Sequence, residues 1–497
     1  MSDNKNSYGN ILKATGLFGG VQVFEILISI VRSKFIAILL GPTGMGISGM
    51  ITSTTSLVSG LTGFGLGTSG VRDISKAYNT HDEYKKNYTL SLLRNLVWFT
   101  GLLGLVVTFV LAKPLSILSF QSGEYTWAFM AVSVSLLVNQ LVVGQKALLQ
   151  GTFHYSYLAK SALLGNICSL IITVPMYYFF GIKGIVPVII ANSLVKLLLS
   201  WYYARMVSYQ RISIPPRQVL KDGKTMLGLG FAIAMSSSIT LGGQYLLRIF
   251  ISNYGEIADV GLYTAGIAIA TTYMGVILTA MGTDYAPRLA AASDDLQVFN
   301  QVINRQLDLI IILLTPLIIA FIVFIREVVL LLYSQKFVPV TGMIEWIMFG
   351  MFFRAVSFCL SYAVVAKADS KRFFGNETIV NVYSLLFSIV GYKFAGFTGL
   401  GLAFCLTYVC YSLQMYILCR TRYGFRFEKS NIKKTAGQLL LVIIVLATTK
   451  IIGYSWLRYV IGGGEFAVSC IIAYLLLNKL IPVKSIINAV KTKLVKK

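Results

Sequence analysis

The chain has 497 residues, of which 56% are hydrophobic and only 12% charged, and its mean hydropathy is +0.74. A soluble domain carries about 25% charged residues, and so large an apolar excess cannot be hidden in one globular core, so lipid must be the solvent for most of the chain. The net charge of +24 does not gather in a patch suited to nucleic acid; Lys and Arg fall in the gaps between apolar runs, where membrane proteins hold them in cytoplasmic loops.

Crossing about 30 Å of hydrocarbon takes roughly 20 residues. The polar start, Met1 to Asn10, has no cleavage site leading to a soluble domain, so the first apolar run is read as a retained span. Fourteen runs qualify, at 12–39, 45–70, 89–111, 125–148, 157–180, 183–204, 225–251, 261–284, 305–333, 343–366, 373–395, 398–419, 434–453 and 457–481. The predicted fold class is an all-α membrane protein with about 14 transmembrane helices. Cations mark alternate loops: Arg72, Lys76, Lys85 and Lys86; Lys146 and Lys160; Arg205, Arg211, Arg217, Lys221 and Lys224; Lys367, Lys371 and Arg372; Arg420, Arg422, Arg426, Lys429, Lys433 and Lys434. The tail adds Lys484, Lys491, Lys493, Lys496 and Lys497. The opposite loops are poor in cations, as at Gly41-Pro42-Thr43 and around Glu256 and Asp259. The loop at 284–305 is weaker, because Asp294 and Asp295 offset Arg288 and Arg305. Both termini are therefore expected in the cytoplasm.

Sliding the chain on itself by 215 residues reveals an internal repeat. Asn166, Ser169 and Leu170 fall on Asn381, Ser384 and Leu385, and Tyr177, Phe179, Gly181 and Gly184 fall on Tyr392, Phe394, Gly396 and Gly399. Gly46 falls on Gly261, Gly67-Thr68 on Gly282-Thr283 and, with one extra residue, Arg32 on Arg248 and Arg72 on Arg288. The expected organisation is an N-terminal six-helix lobe over 1–205, a cytoplasmic linker over 206–224 stiffened by Pro215-Pro216, a second six-helix lobe over 225–422, and helices 13 and 14 with a basic tail over 423–497. Two like-oriented lobes of this kind place a substrate site between them near mid-membrane.

The first span carries a polar stripe: Gln22, Glu25, Ser29 and Arg32 lie within an arc of about 80° on a helix. Ser237, Thr240, Gln244 and Arg248 repeat it on the seventh span, and Ser48, Thr52, Thr55, Ser59 and Thr62 share one face of span 2. An Arg within hydrocarbon costs about 2.5–3.5 kcal/mol on insertion scales, so it faces protein or water. Three readings of Arg32 and Arg248 stand: lining a hydrated cavity that attracts an anionic head group such as a diphosphate, pairing with carboxylates such as Glu25, or snorkelling to the interface. Lys34 lies on another face and reads as interfacial, while Lys196, Arg354 and Glu345 are second-rank cavity candidates. The many glycines suit close helix packing or hinges. Tyr177 to Phe180 and Trp201 to Tyr203 suit interface belts or sugar-stacking platforms.

Signals of catalysis are missing. His81 and His154 stand apart on basic loops, the six cysteines have no C-x-x-C spacing, and no Walker loop is present, so no metal, cofactor or nucleophile site is expected and the chain is not read as an enzyme. A membrane-embedded polysaccharide polymerase or ligase would need large periplasmic loops, and none of the loops exceeds roughly twenty residues.

The stretch from Arg32 to Gly46, RSKFIAILLGPTGMG, resembles the first-helix signature of Wzx-type O-antigen and polysaccharide flippases, and Asp259 to Ala265, DVGLYTA, is similar to the start of their eighth helix. These belong to the multidrug/oligosaccharidyl-lipid/polysaccharide exporter superfamily, built from two six-helix lobes around a V-shaped cavity, often with two further helices. The resemblance implies transport of an undecaprenyl-diphosphate-linked oligosaccharide to the periplasmic leaflet of the bacterial inner membrane, serving lipopolysaccharide O-antigen, capsule or exopolysaccharide. It also implies a polysaccharide polymerase as a partner. In the related lipid II flippases an Arg nine residues before the equivalent Gly lines the cavity, a place that Arg32 takes here. Arg248 and Glu25 have no firm family motif behind them. The rival reading is a cation-coupled multidrug or toxin exporter of the same superfamily, which handles cationic drugs with acidic cavity residues.

Overall fold

The computed structural model describes residues 2–80 and 82–480, with side chains from Phe24 onwards except those of Ala232 and Leu480. His81, the tail lysines Lys484, Lys491, Lys493, Lys496 and Lys497, and the side chain of Gln22 lie outside the described residues. In chain order the helices are α1 Ser2–Thr62, α2 Leu66–Tyr78, α3 Glu83–Val110, α4 Ala112–Phe120, α5 Thr126–Gly151, α6 Tyr155–Phe180, α7 Ile185–Arg205 and α8 Pro216–Asp222. There follow α9 Lys224–Tyr254, α10 Ile257–Ala291, α11 Leu296–Leu332, α12 Thr341–Ala366, α13 Ser370–Tyr423, α14 Lys429–Ile452 and α15 Trp456–Leu480. Among the described residues there is no strand.

Length forces breaks in two of these helices. The 61 residues of α1 would extend roughly 90 Å if straight, about three times the hydrocarbon thickness. It breaks at Gly41, with φ 65° and ψ −170°, and resumes at Pro42, whose missing N–H suits a first helical position. The 54 residues of α13 break at Ala395 and Gly396. Ten runs among the described residues are long and apolar enough to cross a membrane. Two of them, Tyr155–Arg205 and Ser370–Tyr423, are interrupted midway at Gly181 and Gly396, and α1 supplies two more segments, making fourteen. The protein is an all-α, multi-pass membrane protein.

The repeat is written in the backbone. Gly181 has φ 53° and ψ −133°, and Gly396, its counterpart 215 residues on, has φ 54° and ψ −134°. Only glycine enters that region without strain. Phe153 and Ala368, again 215 apart, are both left-handed, at φ 60° and 54°. Each is followed by a residue whose N–H donates to the equivalent carbonyl, His154 to Leu149 and Asp369 to Val364. The linker repeats too. Amides Gln210 and Ile212 donate to Asn87 Oδ1 and Ser91 Oγ of α3, at 3.1 and 3.0 Å. Arg426 and Glu428 donate to Asn300 Oδ1 and Asn304 Oδ1 of α11, at 2.8 and 3.1 Å. The segment leading into α14 is thus a second copy of the strap leading into α9.

Four helices depart from the sequence expectation. The second span was expected to run to residue 70, but α1 stops at Thr62, the chain turns through Phe64 and Gly65 at φ 47° and 56°, and α2 begins. The counterparts of Gly63, Phe64 and Gly65 are Leu278, Thr279 and Ala280, and there α10 runs on unbroken. The short helix α4 occupies a stretch read as loop, and α2 runs from the end of the expected second span into the loop after it. The linker, read as a stiff polar connection, buries Val207, Ile214 and Val219 with Leu93, Leu96 and Leu149, and it contains α8.

The chain forms two compact units, one of residues up to Thr264 with Leu332–Lys336, the other of Ala265–Leu331 and the described chain from Phe337. Inside the first, a Cβ on Gly46 would overlap the Ile257 carbonyl oxygen, and a Cβ on Gly261 would overlap that of Pro42. Because 46 and 261, like 42 and 257, are repeat equivalents, this contact is its own mirror under the repeat. Small residues let backbones meet in a membrane, where dispersion and not the hydrophobic effect holds helices together.

Inside the second unit a charge cluster docks α14 and α15. The α11 helix kinks at Phe324, with φ −102° and ψ 21°. Fully buried Arg458 of α15 donates from Nε to the Val323 carbonyl at 3.1 Å and from Nη2 to that of Ile322 at 2.5 Å. Its charge is met by buried Glu345 of α12 at 2.8 Å, which also accepts from Lys450 and from Tyr454 at 3.2 Å. Lipid could satisfy neither the kink carbonyls nor the ions.

Gly261→Val should lower the thermal midpoint of the detergent-purified protein, by the equivalent of about 1–3 kcal/mol of overpacking. Gly463→Ala, where a Cβ would meet nothing, should not lower it. Arg458→Leu should destabilise by about 3–5 kcal/mol, because it strands a buried carboxylate. Glu345→Gln added to Arg458→Leu should recover part of that loss in the same melt.

Candidate functional site

Polar groups inside apolar helices gather in the first unit. Glu25 and Arg32 of α1 are both half-buried. Asn166 Nδ2 of α6 donates to Glu25 Oε1 at 3.0 Å. Lys196 of α7 runs its stem past Gly165, whose absent side chain leaves the room. Lys196 feels the charges of Arg32, Lys146 and Glu25, and Arg32 also acts on buried Tyr177. Two cations and one carboxylate therefore act on Lys196. Among the described residues Arg32 forms no ion pair, so the carboxylate-pairing reading finds no partner for it.

Arg248 of α9 is half-buried. Its Nη1 donates to the Gln244 carbonyl at 3.2 Å, and its guanidinium lies 5.7 Å from the Tyr263 ring centroid, a cation–π distance. Its Nε is buried without a hydrogen-bond partner, and no carboxylate pairs with it among the described residues. A buried donor left open in this way is held ready for an acceptor.

A cavity of about 530 Å³ opens in the same unit. Thr52, Ser56 and Ser59 of α1, Asn139 and Gln140 of α5, and Ser237 of α9 line it, with the Gly63–Gly65 turn in its wall. Ser237 is exposed and its hydroxyl donates to the Ile233 carbonyl at 3.2 Å. Gln140 is buried and donates from Nε2 to Gly63 O at 3.2 Å and to Thr100 Oγ1 at 2.9 Å, which pins the turn to α3 and α5.

The structure thus joins Glu25, Arg32 and Lys196 in one cluster, and Arg248 with Gln244 in another. Ser237 meets the Thr52, Thr55 and Ser59 face of span 2 at the cavity. Ser29 and Gln244 are exposed and Thr240 half-buried. Arg354 belongs to the second unit, with its guanidinium 5.4 Å from the Tyr408 ring centroid, and Glu345 is committed to the Arg458 cluster. Sequence reasoning missed Asn139, Gln140, Lys146 and Asn166. The first two were visible as adjacent amides in the middle of an apolar run, a default signal of function in a membrane helix.

Residues 35–342 match the family described as polysaccharide biosynthesis protein. In structure the chain is similar to the lipid II flippase MurJ in an inward closed conformation, with a TM-score of 0.72 and 14% identity, covering 94% of this chain and 99% of that one. It is also similar to an inward-facing multidrug resistance MATE family transporter of the MOP superfamily, with a TM-score of 0.68 and 15% identity over 80% of this chain and 94% of that one. The Vibrio cholerae MATE transporter VcmN in the bent form follows at 0.55 and 14%, over 87% and 99%. At these identities the likeness establishes the fold, which is that of the MOP transporters. No curated protein sequence matches the chain.

In a background freed of native cysteines, Ser56→Cys and Ser59→Cys should react with a hydrophilic maleimide, read as a mass shift. Thr54→Cys, at a buried position whose hydroxyl returns to its own helix, should stay unlabelled. Equal protection of all three would show the cavity to be dry.

Proposed function

The chain belongs to the polysaccharide biosynthesis protein family, and from that membership we propose that it is a flippase for an undecaprenyl-diphosphate-linked oligosaccharide. The cargo is an O-antigen, capsule or exopolysaccharide repeat unit, carried from the cytoplasmic to the periplasmic leaflet of the bacterial inner membrane by alternating access. A polysaccharide polymerase is the expected downstream partner. One observation carries the reading: two half-buried arginines, Arg32 and Arg248, at repeat-equivalent places inside apolar helices, and neither neutralised by a carboxylate among the described residues.

A guanidinium presents a planar fork of donors that matches a diphosphate, and it does so most strongly where water is scarce. The glycan is the harder load, since each hydroxyl placed unbonded in hydrocarbon costs several kcal/mol. A polar cavity supplies partners while the prenyl tail stays in lipid, and no catalytic step is required. The fold shared with a lipid II flippase fits a lipid-linked cargo. The same fold in multidrug transporters keeps a cation-coupled exporter as the rival. A cationic drug would be repelled near Lys196, where Arg32 and Lys146 add positive charge against the single carboxylate of Glu25.

In a surface-polysaccharide producer, Arg32→Ala and Arg248→Ala should each cut surface polymer at least ten-fold, with lipid-linked repeat units accumulating on the cytoplasmic side. Unchanged polymer at normal protein levels in both variants would reject the reading.

A further inference from the structure

The cavity walled by α1, α5 and α9 holds no charged side chain. Its lining is hydroxyl, amide, glycine and aliphatic, while the arginines and lysines of the site lie elsewhere on the same helices. Ser237 and Arg248 share one face of α9, eleven residues apart in sequence, or about 16 Å along the axis. An oligosaccharide spans that interval and a diphosphate does not.

Some hydroxyls of the cavity differ from those around it, although Thr55, Ser135 and Ser237 in its lining return theirs to carbonyls of their own helices. Serine and threonine in membrane helices ordinarily return their hydroxyl to a carbonyl one turn back. Thr54, Thr62, Thr100 and Thr108 do so, at 2.7–2.9 Å. Thr52, Ser56 and Ser59 make no side-chain hydrogen bond among the described residues, and neither does the Asn139 amide. Gln140 commits Nε2 to Gly63 and Thr100 and leaves Oε1 as an open acceptor. Each open group is neutral, and the hydroxyls and the Asn139 amide can both give and take a proton in a hydrogen bond. An anion would ask for donors and positive charge, and a cationic drug for a carboxylate. A ring bearing hydroxyl and acetamido groups asks for this mixture.

The turn in the cavity wall is also peculiar to one half of the repeat. It forms where α1 stops at Gly63–Gly65, and the counterpart Leu278–Ala280 lies inside unbroken α10. The duplicated arginines suit the part of a cargo that is itself two-fold, the diphosphate. The unduplicated turn, and the cavity beside it, suit the part that is not. Its volume lies within the ~300–1,000 Å³ of small-molecule pockets.

We propose that this cavity is a sugar subsite that holds uncharged units of the lipid-linked glycan through neutral hydroxyl and amide groups, and so selects a repeat unit without acidic sugars there. The proposal rests on the flippase reading above. It is tested with the purified full chain in detergent by native mass spectrometry against three probes: undecaprenyl diphosphate alone, the same lipid bearing a neutral N-acetylhexosamine disaccharide, and the same lipid bearing a uronic-acid disaccharide. The wild type should bind the neutral glycolipid about ten-fold more tightly than the bare lipid, the scale of a few satisfied polar groups. The uronic-acid glycolipid should gain less than the neutral one. Asn139→Leu and Ser56→Ala should each bring the neutral-to-bare ratio towards one, with a thermal melt confirming the fold of each variant. A ratio near one in the wild type, a ratio unchanged in both variants, or an equal gain for the uronic-acid probe overturns the subsite and leaves the flippase reading intact. Binding of none of the three lipids overturns both.

Discussion

Hydrocarbon offers a peptide group no hydrogen-bond partner, so each place where a spanning helix opens has to be closed from within the protein. The chain shows this at several of its breaks. At the α11 kink the freed carbonyls of Ile322 and Val323 are taken by Arg458, and the charge this imports is met by Glu345. At the Gly63–Gly65 turn the Gly63 carbonyl is taken by Gln140. Where the chain leaves the sixth span of each half, its extended amides are received by Asn87 and Ser91, and again by Asn300 and Asn304. Polar residues in this apolar chain are placed where the backbone needs them, or they remain open.

Some of the open ones lie at the site, and others, such as those of Gln438 and Ser469, lie away from it. Arg248 Nε, the Asn139 amide and the hydroxyls of Thr52, Ser56 and Ser59 have no partner among the described residues, although the rest of the bundle shows how readily such groups are satisfied locally. Arg248 Nε is buried without a partner, which costs free energy and is reasonable where a ligand completes it, while the Asn139 amide and the three hydroxyls face the cavity. The duplication sharpens the contrast. Gly181 and Gly396 keep the same dihedrals, and Gly46 and Gly261 keep reciprocal contacts. The charges are not kept in the same way. The counterparts of Glu25 and Lys196 are Thr240 and Tyr411, and only the arginine recurs. The two halves share a scaffold and differ in what they present.

The membrane class, the fourteen spans, the repeat and the paired stripes were legible in the sequence because each is a local or strictly periodic property. Roughly twenty apolar residues can do little else than cross a bilayer, and an offset of 215 shared by many matches needs no contact map. Positions such as Arg458 were not legible. In sequence it sits at the end of a span, where a cation reads as interfacial, yet its partners lie 113 to 136 residues away. The early stop of α1 was hidden because Gly63 and Gly65 lie inside a run that stays apolar to residue 70.

What the sequence determined by itself was therefore the solvent of the chain, the number of its crossings and the duplicated placement of Arg32 and Arg248, since burial in lipid depends on composition along a single helix. Only the tertiary structure decided which polar groups were satisfied and which were left open. Whether the hydroxyl of Thr54 or that of Ser56 is free, or whether Glu345 or Glu25 meets a buried arginine, depends on which helix packs alongside, and no periodicity within one helix carries that information.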